Sequence, residues 1–190
     1  MSKLRNLGQV CAGIIAPMEK YIAFLRAINV GGTSIIKMED LKKIFESFNL
    51  ANVQTYIATG NVIFETKESP TLEAKLESQL EKAMGYRVEI FLRTMEDVTE
   101  IANRPPFKPQ VNETLHVVLL HKNVDKESEQ KLLSLGSEAD DFAVKNREVY
   151  NLRRDRDKSV FSNNFIEKIL KTSATTRNWN TICKIAEKYK

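Results

Sequence analysis

Apolar runs of strand length alternate with amphipathic helical stripes along this chain, and in two places two strand runs stand back to back across a short turn. Residues 20–28, KYIAFLRAI, predict a buried strand, and Asn29, Gly31, Gly32, Thr33 and Ser34 predict the turn after it. A helix follows over about 38–48, with Leu41, Ile44, Phe45 and Phe48 on its apolar face. Residues 53–58 and 62–66 predict a hairpin around Thr59-Gly60-Asn61, where Gly60 and Asn61 tolerate positive φ. Ser69 as cap and Pro70 in the first helical position open a second helix, striped by Leu72, Leu76 and Leu80 and ended by Gly85. Residues 88–93 predict the next strand. The resulting order, βαββαβ, is the ferredoxin-like or split-βαβ unit.

Thr94 is placed to cap a third helix with Asp97 as its capping-box partner. Pro105, Pro106 and Pro109 then make a stiff connector and the best candidate for a boundary. Beyond it the theme returns. Residues 115–120 predict a strand and 125–135 a helix. Two strands flank the turn Asn146-Arg147, and 163–170 predict another helix. This is βαββα, one strand short of a second unit. A last helix is expected over about 176–189, from the spacing of Trp179, Ile182, Cys183 and Ala186. The expected fold is therefore α+β: two ferredoxin-like halves with antiparallel sheets, helices packed on one face, and an extra C-terminal helix, all in one unit. Residues 18–104 form the first half with its linker helix and 105–190 the second. Residues 1–17, with a basic start and apolar residues interrupted by Gln9, read as a mobile extension outside the fold.

The 190 residues are 42% apolar and 28% charged, which is enough to bury a core without disulfide or metal staples. No run approaches the roughly 18 apolar residues of a spanning helix, so no membrane partner is expected. Charge is unevenly spread. Residues 145–190 carry 12 basic and 5 acidic side chains, a net +7, against a net −3 for the remainder. A basic quarter suits an anionic partner, or simply a solvated helical surface. Cys11 and Cys183 are far apart and form no Cys-x-x-Cys pair, which points to a reducing cytoplasm and away from a thiolate zinc site. His116 and His121 lie five apart on one strand, on opposite sides, and cannot chelate one metal together. No metal or cofactor is expected.

Three stretches can carry chemistry. Val30-Gly31-Gly32-Thr33-Ser34, followed by Lys37, offers bare amides beside a cation, either for a phosphate or as a plain turn. It is not a Walker A loop, since the Gly-Lys-Ser/Thr ending is missing. Just before it, Arg26 sits among Phe24 and Ile28 on an apolar strand and needs a partner if buried. Residues 153–158 alternate in sign, which suits local pairing or contacts to phosphates. Residues 175–181, TTRNWNT, place Thr175 or Thr176 as a helix cap, Arg177 in the first turn, and two asparagines beside the lone Trp179. Arg177 there would meet the positive end of the helix dipole, so a facing carboxylate or an outside anion is expected.

YIAFLRAINVGGTSIIKMEDL, VQTYIATGNVIF and SATTRNWNTICKI, in that order, resemble the bacterial domain-of-unknown-function family 1697 from Met18 to Lys190. The resemblance implies an α+β fold with ferredoxin-like elements and brings no activity, cofactor or catalytic residue. Its motif positions fall on Arg26, Asn29, Gly31, Gly32, Tyr56, Gly60, Asn61, Thr176, Arg177, Asn178 and Trp179, taken as the candidate ligand-binding set. Ala58-Thr59-Gly60 departs from the Gln-Ser-Gly frequent in that family, which weakens an essential role for a serine hydroxyl at 59, although Thr59 can still supply a hydroxyl. The leading expectation is non-enzymatic binding of a phosphate-bearing partner such as nucleic acid, although the strand Asn61-Val62-Ile63-Phe64-Glu65 lacks the RNA-recognition signature. One alternative is an enzyme acting on a small phosphorylated or carboxylated metabolite, in a cleft between the Gly31-Gly32 loop and the Arg177 segment. Another is a protein-interaction module using a sheet edge.

Overall fold

Strand β1 (Met18–Leu25) reads as an unbroken apolar run from Tyr21 onward, because both of its faces are buried there. Ile22 and Phe24 point into one core, and Tyr21, Ala23 and Leu25 into another. The computed structural model describes residues 17–29 and 35–190. The expected extension over 1–17 and the turn holding Gly31 and Gly32 therefore lie outside the described residues, Pro17 apart. After β1 come α1 (Met38–Glu46), β2 (Ala51–Thr55), β3 (Asn61–Lys67), α2 (Leu72–Met84), β4 (Ile90–Thr94) and α3 (Met95–Asn103). The second half repeats the order with β5 (Thr114–Leu120), α4 (Lys126–Leu133), β6 (Asp140–Lys145), β7 (Glu148–Arg153), α5 (Asn163–Leu170), β8 (Ala174–Asn178) and α6 (Trp179–Tyr189).

Each half holds a four-stranded antiparallel sheet, in the orders β2-β3-β1-β4 and β6-β7-β5-β8. The second half thus has the strand that the sequence reading left out. Thr175 and Thr176 do not cap a helix. They belong to β8, paired with Leu119 and Val118 of β5, where β-branched side chains fit a pleated sheet. Asn178 is the residue that caps α6, its side chain accepting from the Asn180 amide at 2.8 Å. Arg177 consequently lies in a strand, not in a helical first turn.

Both faces of each sheet are covered, which corrects the expectation of helices on one face. α1 and α2 bury the outer face of the first sheet through Leu41, Phe45, Leu72, Leu76 and Leu80. α4 and α5 do the same for the second through Leu132, Ile166 and Leu170. α3 and α6 pack at the seam, where Val98, Ile101, Ile182 and Ile185 share one core with Ile22, Phe24, Val117 and Leu119 from both sheets. The two halves are therefore joined by apolar burial worth about 1.5–3 kcal/mol for each such side chain.

Local signals mostly hold. Thr94 and Asp97 form the capping box of α3, and Gly85 ends α2 in a left-handed conformation at φ 78°. Ser69 and Pro70 instead make a turn closed by the Leu72 amide on the Ser69 carbonyl, and α2 starts two residues later than expected. In the first hairpin the positive φ values fall on Ile57 and Gly60, whereas Asn61 is already strand. Gly60 has φ 77°, and an added Cβ would lie 2.6 Å from Ile28 Cδ1. Gly60→Ala is expected to lower stability by about 2–3 kcal/mol through strain and overpacking, read from the urea midpoint.

Candidate functional site

Arg177 is the centre of the motif residues, and its geometry assigns it to the seam. Nε donates to Asn61 Oδ1 at 2.7 Å. Nη1 donates to Thr175 Oγ1 and the Thr176 carbonyl, both at 2.9 Å. Nη2 reaches the carbonyls of Leu25 at 2.9 Å, Thr59 at 3.0 Å and Gly60 at 3.2 Å. All five N–H donors are spent on protein oxygens, and the guanidinium lies 5.5 Å from the centre of the Phe24 ring. Burial pushes its pKa down to about 10, so the group stays charged at neutral pH. The counter-charge expected from the sequence is replaced by converging neutral dipoles.

A second arginine repeats this arrangement in the opposite direction, and the sequence reading missed it. Arg93 holds the same place in β4 that Arg177 holds in β8, fourth of five residues. Its Nε donates to Glu148 Oε1 at 2.7 Å, and its Nη2 to the carbonyls of Leu120 at 2.8 Å and Arg147 at 3.2 Å. Leu120 ends β5 as Leu25 ends β1, and Glu148 opens β7 as Asn61 opens β3. Each half thus inserts one arginine into the hairpin end of the other. The signal in the sequence is an arginine closing the apolar run Ile90-Phe91-Leu92, which, like Arg26 after β1, needs a partner if buried.

The other motif residues surround Arg177. Arg26 finds the partners it needed in Glu89 at 2.7 Å and Glu167 at 2.9 Å. Asn29 exchanges hydrogen bonds with both backbone groups of Ile36 and donates to the Ala58 carbonyl, which fixes the two ends of the turn. Asn61 also donates to the Tyr56 carbonyl and to Thr59 Oγ1. Tyr56 meets Tyr189 edge to face, with Lys188 5.6 Å from the Tyr56 ring centre. Thr176 donates to the Asn163 side chain. Trp179 packs against the seam core, and its Nε1 is buried without a partner among the described residues.

At the Arg93 end the seam opens into a cleft of about 310 Å³, bordered by Tyr21, Ser69, Glu73, Thr94, Asp97, His121 and Arg147 with Arg93 in its wall. His121 occupies the position after β5 that Arg26 occupies after β1. Its Nδ1 is 2.9 Å from Glu73 Oε1, and its ring stacks on Phe91 with centres 4.1 Å apart. The Glu73 hydrogen bond raises the His121 pKa against the opposing effect of burial. Burial raises that of Glu73, but hydrogen bonds from His121 and the Leu92 amide outweigh it and leave it lowered. The two shifts together favour imidazolium facing carboxylate in this pair. Its histidine contribution is complete below the ordinary 6.5 and is lost as pH rises through the higher folded value. His121→Ala is expected to cost about 1 kcal/mol near pH 6 and less near pH 9, measured by urea unfolding at both.

The basic quarter is partly neutralised within the fold. Arg154 pairs with Glu113 and Asp141, Lys145 with Glu100, Arg147 faces Asp97, and Lys158 pairs with Asp155. His116 lies on the other side of β5, its ring tilted against Phe161 with centres 5.1 Å apart, and its pKa is lowered to about 4 by burial and by Arg153. Among the described residues no group of three or more His, Cys, Asp or Glu side chains is arranged to hold a metal ion, and no helix is long and apolar enough to cross a membrane.

Residues 18–150 match the model of the family described as a protein of unknown function, DUF1697. The chain belongs to the DUF1697 family. The match ends before the SATTRNWNTICKI segment, so the wider likeness to Lys190 goes beyond the matched residues. Over 90% of this chain and 98% of the other, the DUF1697 fold is also similar to the conserved bacterial protein SP0830 from Streptococcus pneumoniae, with 21% identity and a TM-score of 0.66. No curated protein matches the chain.

Proposed function

We propose that the seam cleft is a binding site for a small polar metabolite, with His121 and Glu73 as its proton-carrying pair. The observation that carries this reading is the hydrogen-bonded His121–Glu73 pair, partly buried and bordering a cleft at the seam of the two halves. This is the enzyme alternative moved to the other end of the seam, because the donors of Arg177 are spent on protein oxygens. The strand orders support the view that each half is a ferredoxin-like unit. The free Cys183 thiol, half-buried against the seam core, suits a cytoplasmic setting.

Binding of nucleic acid or another phosphate-bearing partner is the second reading, favoured by the net +7 of residues 145–190. The internal pairs of Arg147, Arg154, Lys145 and Lys158 weigh against it. A thermal-shift screen of small metabolites beside mixed oligonucleotides separates the two. Stabilisation by a metabolite that disappears in His121→Gln is the expected result. Binding of oligonucleotides that falls steeply with salt, with no metabolite stabilising the fold, replaces it by the second reading. A stoichiometric protein partner without either response favours an interaction module at a sheet edge.

A further inference from the structure

We propose that His116 is the acid-sensitive link of a latch that holds the charged segment 153–161 against the outer face of the second sheet. This segment contains the stretch of alternating sign, Arg153 to Lys158, and leads into α5. Its far end is tied to Asp140 of β6, which is fully buried. Asp140 Oδ1 accepts from Ser159 Oγ and from Asn151 Nδ2, both at 2.8 Å, and Oδ2 accepts from the Val160 amide at 2.9 Å. Ser159 Oγ accepts in turn from the Phe161 amide at 3.2 Å. At the near end, Arg153 Nη2 lies 3.2 Å from His116 Nε2.

A guanidinium has no acceptor, so Arg153 is the donor in this contact. Nε2 therefore offers its lone pair, and the neutral ring carries its proton on Nδ1. That Nδ1 is buried without a partner among the described residues, and so is Asn151 Oδ1. The two atoms, one donor and one acceptor, belong to residues directly opposite each other on β5 and β7. Asn151 turns its amide nitrogen to Asp140, which leaves its oxygen for the imidazole. Joining the two closes a relay from Arg153 through His116 and Asn151 to Asp140, with a cation at one end and a carboxylate at the other. The fold itself does not require polarity here. The same two positions of the first half hold Tyr21 and Phe64, paired in the same register and stacked with ring centres 6.0 Å apart.

Only the neutral imidazole fits this relay. A second proton sits on Nε2 and points at Arg153, which replaces a hydrogen bond by a donor–donor contact of like charge. The charged groups acting on the ring are Arg153 of β7, which together with burial lowers its pKa to about 4, and Asp140 of β6, which opposes them. β8 sets the neutral Asn178 opposite His116, and Phe161 covers the ring from the latched segment. Because the folded value is depressed below the ordinary 6.5, the contribution of the neutral ring is complete above 6.5 and is lost as pH falls toward about 4. An imidazolium held between Arg153 and Phe161 is relieved by water, which reaches it when Phe161 and its neighbours lift off the sheet.

The test is an NMR titration of the isotope-labelled full chain from pH 7 to pH 3. It follows the His116 ring nitrogens, the Asp140 carboxyl carbon, and the protection of the Val160 and Val118 amides against hydrogen exchange. The expected result is a neutral His116 with its proton on Nδ1 at pH 7. Val160 protection is expected to fall by about tenfold or more with the midpoint of the His116 titration, while that of Val118 in β5 holds. His116→Phe keeps a ring beneath Phe161 but cannot titrate, so this step should be absent from it. A His116 that is charged at pH 7, or that carries its proton on Nε2, overturns the latch. So does a Val160 amide that stays protected once His116 is protonated, or one that opens with Asp140 while His116 is still neutral. A folded His116→Phe protein that loses Val160 protection at the same midpoint also overturns it.

Discussion

Arg177→Ala is expected to lose about 3–5 kcal/mol of stability, because it strands buried oxygens rather than freeing a ligand site. Arg177 is 7% exposed as a residue, and its guanidinium bonds across the seam to Asn61 and to the carbonyls of Leu25, Thr59 and Gly60. Removing it leaves these groups of the first half unpaired in the interior, each costing about 1–3 kcal/mol less whatever water can recover. Arg177→Lys keeps the charge without the five-donor fork and should recover only a minor part. Urea unfolding of the three proteins measures this. An Arg177→Ala protein as stable as the parent, with weaker anion binding, would instead assign Arg177 to a ligand.

Arg93→Ala is expected to cost at least as much, with a different signature. Its partner Glu148 is a carboxylate with 7% of its side chain exposed, so the deletion leaves a buried charge unpaired. The penalty for breaking such a pair is about 3–5 kcal/mol. Adding Glu148→Gln removes the stranded charge. The double variant should therefore be more stable than the sum of the two single losses implies, by about 2 kcal/mol or more. The same cycle between Arg177 and Asn61 should give a smaller coupling, because Asn61 is neutral. Equal couplings in the two cycles would show that charge does not distinguish the clasps.

Most of the first half was legible in the sequence, because its signals are local. The Thr94–Asp97 capping box, Gly85 and the apolar stripe of α2 each act within a few residues. Strand β8 was not legible. Ala174-Thr175-Thr176-Arg177-Asn178 has little apolar alternation and runs straight into a helix, and its strand character comes from pairing with β5 more than fifty residues earlier. The clasps were illegible for the same reason, since Arg177 and Asn61 are 116 positions apart. The Arg26, Gly60 and Asn61 motifs did mark a specific cluster, and that cluster holds the two halves together. His121 read as structural from spacing alone, and only the fold brings Glu73 to it from 48 positions away.

The most direct measurement is a crystal structure of the full chain grown with the metabolite that stabilises it most in the thermal-shift screen. The expected result is ligand density in the seam cleft beside His121, Glu73 and Arg147, with Arg177 still bonded to Asn61. Density instead against Asn29, Thr176 and Arg177, with the guanidinium turned away from Asn61, would contradict the account. It would place function at the end of the seam that we assign to holding the fold together.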